Sequence, residues 1–144
     1  MAEFKLVIGI PEAKRTVTKA VKETQADPLI GLKIGDKVSG DKIGFDGYEF
    51  QITGGSDYCG FPLRQGISGL RRKSLLIGKS VGCAGKERKL RKHTKPRSRD
   101  GFRRKKLVCP EQIMEKTIQI NMKVLKMGAA PLFEAKAEEP KAAA

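Results

Sequence analysis

The sequence predicts a mainly β protein: one small β-barrel-like domain from which a long, irregular, strongly basic segment loops out. Three observations carry this expectation. Short runs that alternate apolar with polar residues, rich in Val, Ile, Phe and Tyr, recur along the chain, and glycine-rich turns separate them. Short strands divided by such turns suggest a small barrel or sandwich. The charge is also confined to one place. Of the 30 Lys and Arg residues, 17 lie between residues 64 and 106, with only 2 of the 16 acids. That block nets +15 and the remainder −1, which together give the +14 of the chain.

The elements follow in order. "FKLVIGI" (Phe4 to Ile10) is short, apolar and β-branched, and Pro11 ends it, so it reads as a strand. "RTVTKAVKE" (Arg15 to Glu23) reads as its antiparallel partner. "ADPLIGL" predicts one helical turn, with Asp27 as N-cap, Pro28 at the first position and Gly31 as the stop. "KIGDKVSG" offers a strand fragment between turn residues. In "GYEFQITGG", Tyr48, Phe50 and Ile52 alternate with Glu49, Gln51 and Thr53, a half-buried strand closed by Gly54 and Gly55. "KSLLIG" (Lys73 to Gly78) and "KKLVC" are further short strands on either side of the basic run. In "TIQINMKVLKMG", Ile118, Ile120, Met122 and Val124 recur at period two. Met114, Ile118, Met122 and Leu125 would also make a helical stripe, but the β-branching at Ile118, Ile120 and Val124 favours a strand. The last strands are expected to close the barrel. The tail "AAPLFEAKAEEPKAAA" is poor in large apolar residues and is expected to be disordered or transiently helical.

Several function classes find no support. Cys59, Cys83 and Cys109 stand far apart with no CxxC pair, which argues against a disulfide framework or a structural zinc site and for a reducing compartment. His93 is the only histidine and sits among bases that disfavour a bound cation. There is no paired-carboxylate motif, no GxxxxGK[ST] and no strand–GxGxxG–helix arrangement. "GGSDYCG" (Gly54 to Gly60) has the look of a phosphate loop or thiol site, but it reads better as a glycine-rich β turn with a solvated Asp57. No enzyme activity, metal, cofactor or small-molecule substrate is therefore expected. No apolar run reaches the roughly 18 residues of a membrane span, and the opening "MAEFKLVIGI" does not read as a signal peptide. A cytoplasmic protein without a membrane partner is expected.

The basic block needs a partner. "RKLRKHTKPRSRDGFRRKK" (Arg88 to Lys106) holds eleven Lys or Arg residues in nineteen positions, with Asp100 its one acid. Like charges at that density repel one another unless a polyanion neutralises them. Lysine and arginine gain by displacing counterions from nucleic-acid phosphates, and arginine also forks onto phosphates and stacks on bases. Gly78, Gly82, Gly85, Pro96, Ser98 and Gly101 oppose a regular helix, so an extended, adaptable segment is expected, disordered when free and ordered on RNA. Within it only Phe102 is an aromatic candidate for stacking. The run is internal and tethered between two strands, which argues against a merely solvated tail. It has no apolar face for a membrane surface.

The middle of the chain is more specific. The order "GLKIGD", then "G-Y-x-x-x-I-T-G-G-S-D-x-x-G-F-P-L-R", resembles the small-subunit ribosomal protein six family of the archaeal and eukaryotic type. The opening "FKLVI", the basic "PRSRDGFRRKKLV" and the closing "IQINMKVLKMG" fit the same family, so the resemblance covers roughly residues 2 to 128. It implies a structural component of the small ribosomal subunit, in the cytoplasm, that binds ribosomal RNA beside neighbouring small-subunit proteins. It also implies RNA contact at "GGSDYCGFPLR" and "PRSRDGFRRKK". The chain departs from the pattern in three places. Tyr58 and Cys59 stand where polar or charged residues are expected. The stretch from Cys83 to Lys95 is longer than the archaeal pattern, so contact there rests on charge. The long basic C-terminal helix of the eukaryotic members, with its regulatory phosphorylation sites, is not expected here, so the chain looks like an archaeal-type member.

The sequence thus predicts a single domain over residues 1–128, including a basic excursion at 64–106, and a flexible tail at 129–144. The expected RNA contacts are Arg64, Arg71, Arg72, Lys73, Lys86, Arg88, Lys89, Arg91, Lys92, Lys95, Arg97, Arg99, Arg103, Arg104, Lys105 and Lys106. The alternative reading is an RNA chaperone or processing factor not stably held on the ribosome.

Overall fold

The computed structural model describes residues 3–85, 101–128 and 132. Seven strands form: β1 (Glu3–Ile10), β2 (Arg15–Lys22), β3 (Lys37–Ser39), β4 (Glu49–Asp57), β5 (Lys73–Ile77), β6 (Arg104–Val108) and β7 (Thr117–Lys126). Five of them make one sheet in the order β2-β1-β7-β4-β3, and β5 and β6 pair as a separate antiparallel ribbon. The first and last strands of the described chain, β1 and β7, lie side by side in parallel. Every other pairing between these strands is antiparallel.

The period-two patterns explain which face is buried. Phe4, Leu6, Ile8 and Ile10 of β1 point inward with Ile120, Met122 and Val124 of β7 and Phe50 and Ile52 of β4. The register stacks them across the sheet, Leu6 opposite Ile120 and Ile8 opposite Met122, with Ile52 on the other side of Met122. The intervening segments cover this face. The 3-10 turn Asp27–Leu29 inserts Leu29, and the turn Gly40–Ile43 inserts Ile43, both fully buried. Tyr48 stacks on Phe50 at 5.7 Å between ring centroids, and Phe45 meets Phe50 edge-on. Each such side chain contributes about 1.5–3 kcal/mol by leaving water.

The strand readings hold for β1 through β7, and the alternative helical stripe does not form. Met122 is buried while Ile118 and Leu125 are exposed, so those positions share no helix face. Three expectations are corrected. Asp27 does not cap its turn: Ala26 holds that place, no side chain caps it, and Asp27 is the first residue inside. Gly54 and Gly55 do not close β4. The strand bulges between Ile52 and Gly54 and continues to Asp57. A bulge adds a residue and bends the strand, and here it brings Gly55 beneath Leu63 and against the Gln119 carbonyl, where a Cβ has no room.

The third correction is the barrel. The described strands form two sheets that do not close. The edges of the large sheet are β2 and the three-residue β3, and these two do not pair. The link from sheet to ribbon runs through isolated bridges, Ser56 to Pro62 and Leu63 to Cys109, instead of a continuous ladder. Pro62 and Pro110 flank this junction and have no N–H to donate.

Candidate nucleic-acid interface

Of residues 64–106, the described stretches are 64–85 and 101–106, and they include a paired ribbon. β5 and β6 pair over five residues each, from Lys73 opposite Val108 to Ile77 opposite Arg104. A second small core, Ile67, Ile77, Cys83 and Val108, draws on both ends of the ribbon, with Leu75 and Phe102 packed against it. Phe102 is therefore half-buried packing and not the free stacking ring expected from the sequence.

Pairing sorts the ribbon's side chains onto two faces. Lys73, Leu75 and Ile77 share one with Arg104, Lys106 and Val108. The other carries Ser74, Leu76, Lys105 and Leu107, all exposed. The bases of "FRRKK" thus do not form one patch. Arg104 and Lys106 look one way and Lys105 the other. Lys106 is half-buried beside Leu75, as an aliphatic stem laid on apolar surface would be, and the other bases of the run are exposed.

Beyond β4 the chain turns through "DYCGFPLR". Here Asp57 is 6% exposed, which overturns the solvated aspartate of the sequence reading. Its Oδ1 accepts hydrogen bonds from the backbone N–H groups of Cys59 and Phe61, each at 2.9 Å. Its Oδ2 accepts one from Arg72 Nε at 2.6 Å and one from the Cys109 thiol at 3.2 Å. One carboxylate thereby ties the end of β4, the turn after it, the segment before β5 and the residue after β6. Burial opposes the charge of Asp57, but the Phe61 N–H, Cys109 and the Arg72 guanidinium outweigh it and hold the carboxyl below its ordinary value of 3.8. Burial, reinforced by the neighbouring carboxylate, pushes the Cys109 thiol up to about 11.

Arg72 completes the hub. Its guanidinium lies over the rings of both Tyr58 and Phe61, 4.9 Å from each centroid. Arg64 is also engaged within the fold, donating from Nη1 to Ser80 Oγ at 2.9 Å and to the Val81 carbonyl at 3.0 Å. A third tie comes from Glu111, which accepts from Gly66 N–H at 2.8 Å and lies 3.3 Å from Lys33 Nζ. These contacts fix the ribbon to the sheet.

The predicted contact residues now divide into three groups. Arg72 and Arg64 hold the fold with part of their donor set. Arg71, Lys73, Arg103, Arg104 and Lys105 are exposed and Lys106 half-exposed, and none of them is ion-paired with an acid among the described residues. Lys86, Arg88, Lys89, Arg91, Lys92, Lys95, Arg97 and Arg99, with His93, lie outside the described residues. Sequence reasoning passed over Lys116, which lines a cleft with Arg71 and Arg72 although it stands outside the basic block. Cys59 is exposed, Cys83 and Cys109 are buried, and no cluster of metal-ligating side chains occurs among the described residues.

The comparisons agree with the order of motifs. The family described as Ribosomal protein S6e matches residues 4–137. The chain is similar to the small ribosomal subunit protein eS6 of Methanoculleus marisnigri, 37% identical over 134 residues that cover 93% of this chain and 92% of the relative. The protein of that name from Methanothermobacter thermautotrophicus is 39% identical over 131 residues, covering 91% of this chain and 93% of the relative. That from Archaeoglobus fulgidus is 38% identical over 133 residues, covering 92% and 94%. The chain belongs to the ribosomal protein S6e family.

Proposed function

We propose that this protein is a structural constituent of the small ribosomal subunit, that it binds ribosomal RNA through the basic excursion, and that it takes part in translation in the cytoplasm. The observation that carries the reading is the placement of the charge. The sequence carries a net +15 within residues 64–106, and this block includes a ribbon whose exposed Lys73, Arg104 and Lys105 have no acidic partner among the described residues. Bases left unpaired on a fixed frame are suited to phosphates, whose counterions they release. The names of the relatives support the same reading. In this account residues 1–128 form one domain, 129–144 form a tail, and neighbouring small-subunit proteins are the other partners. The chemistry is that of binding and orientation, with no catalytic step.

The test changes Arg103, Arg104, Lys105 and Lys106 together to Gln, with folding checked by circular dichroism. Binding to a small-subunit ribosomal RNA transcript is then titrated at several salt concentrations. Each base on a phosphate contributes about 0.7 to the slope of log affinity against log salt on the single-strand scale. All four engaged would flatten the slope by about 3. One ribbon face alone, Arg104 with Lys106, would flatten it by about 1.4. An unchanged slope in a folded variant removes this strand from the RNA interface.

A further inference from the structure

Beside the Asp57 hub lies a cleft of about 330 Å³. That volume is at the small end of the range of ligand sites. Its walls are apolar in part, Leu70 and Met114, and carry Tyr58, Arg71, Arg72 and Lys116. Tyr58 is 58% exposed and Leu70 70%, although both are large and apolar enough to be buried elsewhere in the fold. The other tyrosine of the chain, Tyr48, is 3% exposed in the core.

We propose that this cleft receives an unpaired nucleobase of RNA, stacked on the Tyr58 ring. The proposal rests on the RNA-binding reading above and adds a site that charge alone does not give. The ring is held ready. The Arg72 guanidinium lies over it and over the Phe61 ring, and Asp57 fixes Arg72 through its Nε. With that support behind it, the remainder of the ring is open. A flat apolar surface whose orientation is already set captures a base without ordering a side chain, and stacking tolerates any base because each has a π face. The charge around it suits a nucleotide. Three bases line the cleft against one carboxylate, and that carboxylate is already paired. Arg71 and Lys116 are both exposed and both line the cleft, so they can meet the phosphates that flank a turned-out base. A protein partner is the less suitable occupant, because cationic walls would strand their charge against an apolar peptide.

The test compares Tyr58→Phe, which keeps the ring, with Tyr58→Leu, which keeps bulk without a π face. Both are titrated as the full chain against a small-subunit ribosomal RNA transcript, over a range of salt and after thermal melts confirm folding. Stacking is worth about 1–3 kcal/mol per base, so Tyr58→Leu should bind about 5- to 150-fold more weakly than Tyr58→Phe at every salt concentration. The salt slope should be the same in the two variants, since no charge is lost. Equal affinities of the two variants overturn the proposal and leave the RNA reading standing. A flatter slope in Tyr58→Leu also overturns it, because the ring would then act only by holding Arg72. Unaltered RNA affinity with weaker association with other small-subunit proteins would make the cleft a protein interface instead. A wild-type chain with no salt-dependent affinity for the transcript would sink the parent reading, and this one with it.

Discussion

Replacing Asp57 by Ala should loosen the joint between sheet and ribbon. The variant removes the acceptor of two backbone N–H groups, the partner of Arg72 and the acceptor of the Cys109 thiol in one step. Hydrogen bonds to a charged group are worth about 1.5–3 kcal/mol each, but the losses are not additive, and water can reach the freed groups at the exposed turn. Breaking a largely buried pair by deleting one partner costs about 3–5 kcal/mol. Part of Arg72 is exposed, so the lower end of that range, about 3 kcal/mol, is the expected loss. A domain of this size has about 5–15 kcal/mol in total and loses about 2–4 °C in melting temperature per kcal/mol. The melting temperature should therefore fall by about 6–12 °C, read by circular dichroism or calorimetry. Asp57→Asn keeps an oxygen for the Cys59 and Phe61 N–H groups and gives up only the charge, so it should fall between Ala and wild type. A melt of Asp57→Ala within about 1 °C of wild type would refute the view that this carboxylate ties the elements together.

The same carboxylate sets a pH dependence. Because its folded value is held below the ordinary one, its contribution is complete above about pH 4 and is lost as pH falls through the folded value. The stability gap between wild type and Asp57→Asn, measured by urea unfolding, should be full at pH 7 and narrow below pH 4. The three thiols should also differ in reactivity. In the native chain at pH 8 a thiol reagent should modify Cys59 at once, and Cys83 and Cys109 only after unfolding, because both are buried and the Cys109 pKa is pushed up to about 11. Prompt modification of all three would mean that both the ribbon's small core, which holds Cys83, and the Asp57 hub, which holds Cys109, are open in solution.

Most of the strands were legible because one face of each is buried. Period-two alternation such as Tyr48, Phe50, Ile52 is a direct imprint of that burial. The large-scale arrangement was not legible. Nothing local says that β1 pairs with β7 across most of the chain, or that β5 and β6 leave the sheet to pair with each other. A barrel was the natural inference from strands and turns alone. The confinement of charge cannot tell a base facing solvent from one serving the fold. Arg72 and Arg64 looked like their neighbours in sequence, and only contacts 15 and 16 positions away separate them. The burial of Asp57 is hidden for the opposite reason. An acid in a Gly-rich turn is usually solvated, and its burial depends on Arg72 and Cys109, both distant in sequence. Phe102 was likewise assigned to stacking because the small core that receives it is assembled from four separate segments.

The central claim is that this chain is a resident of the small ribosomal subunit. Its most direct test is to tag the chain in the cells that make it, separate the subunits on a gradient, and wash the small subunits at high salt. The account predicts one copy per small subunit after the wash and none on large subunits. Recovery mainly in ribosome-free fractions, or loss from the subunits at moderate salt, would contradict it and favour a transient RNA chaperone.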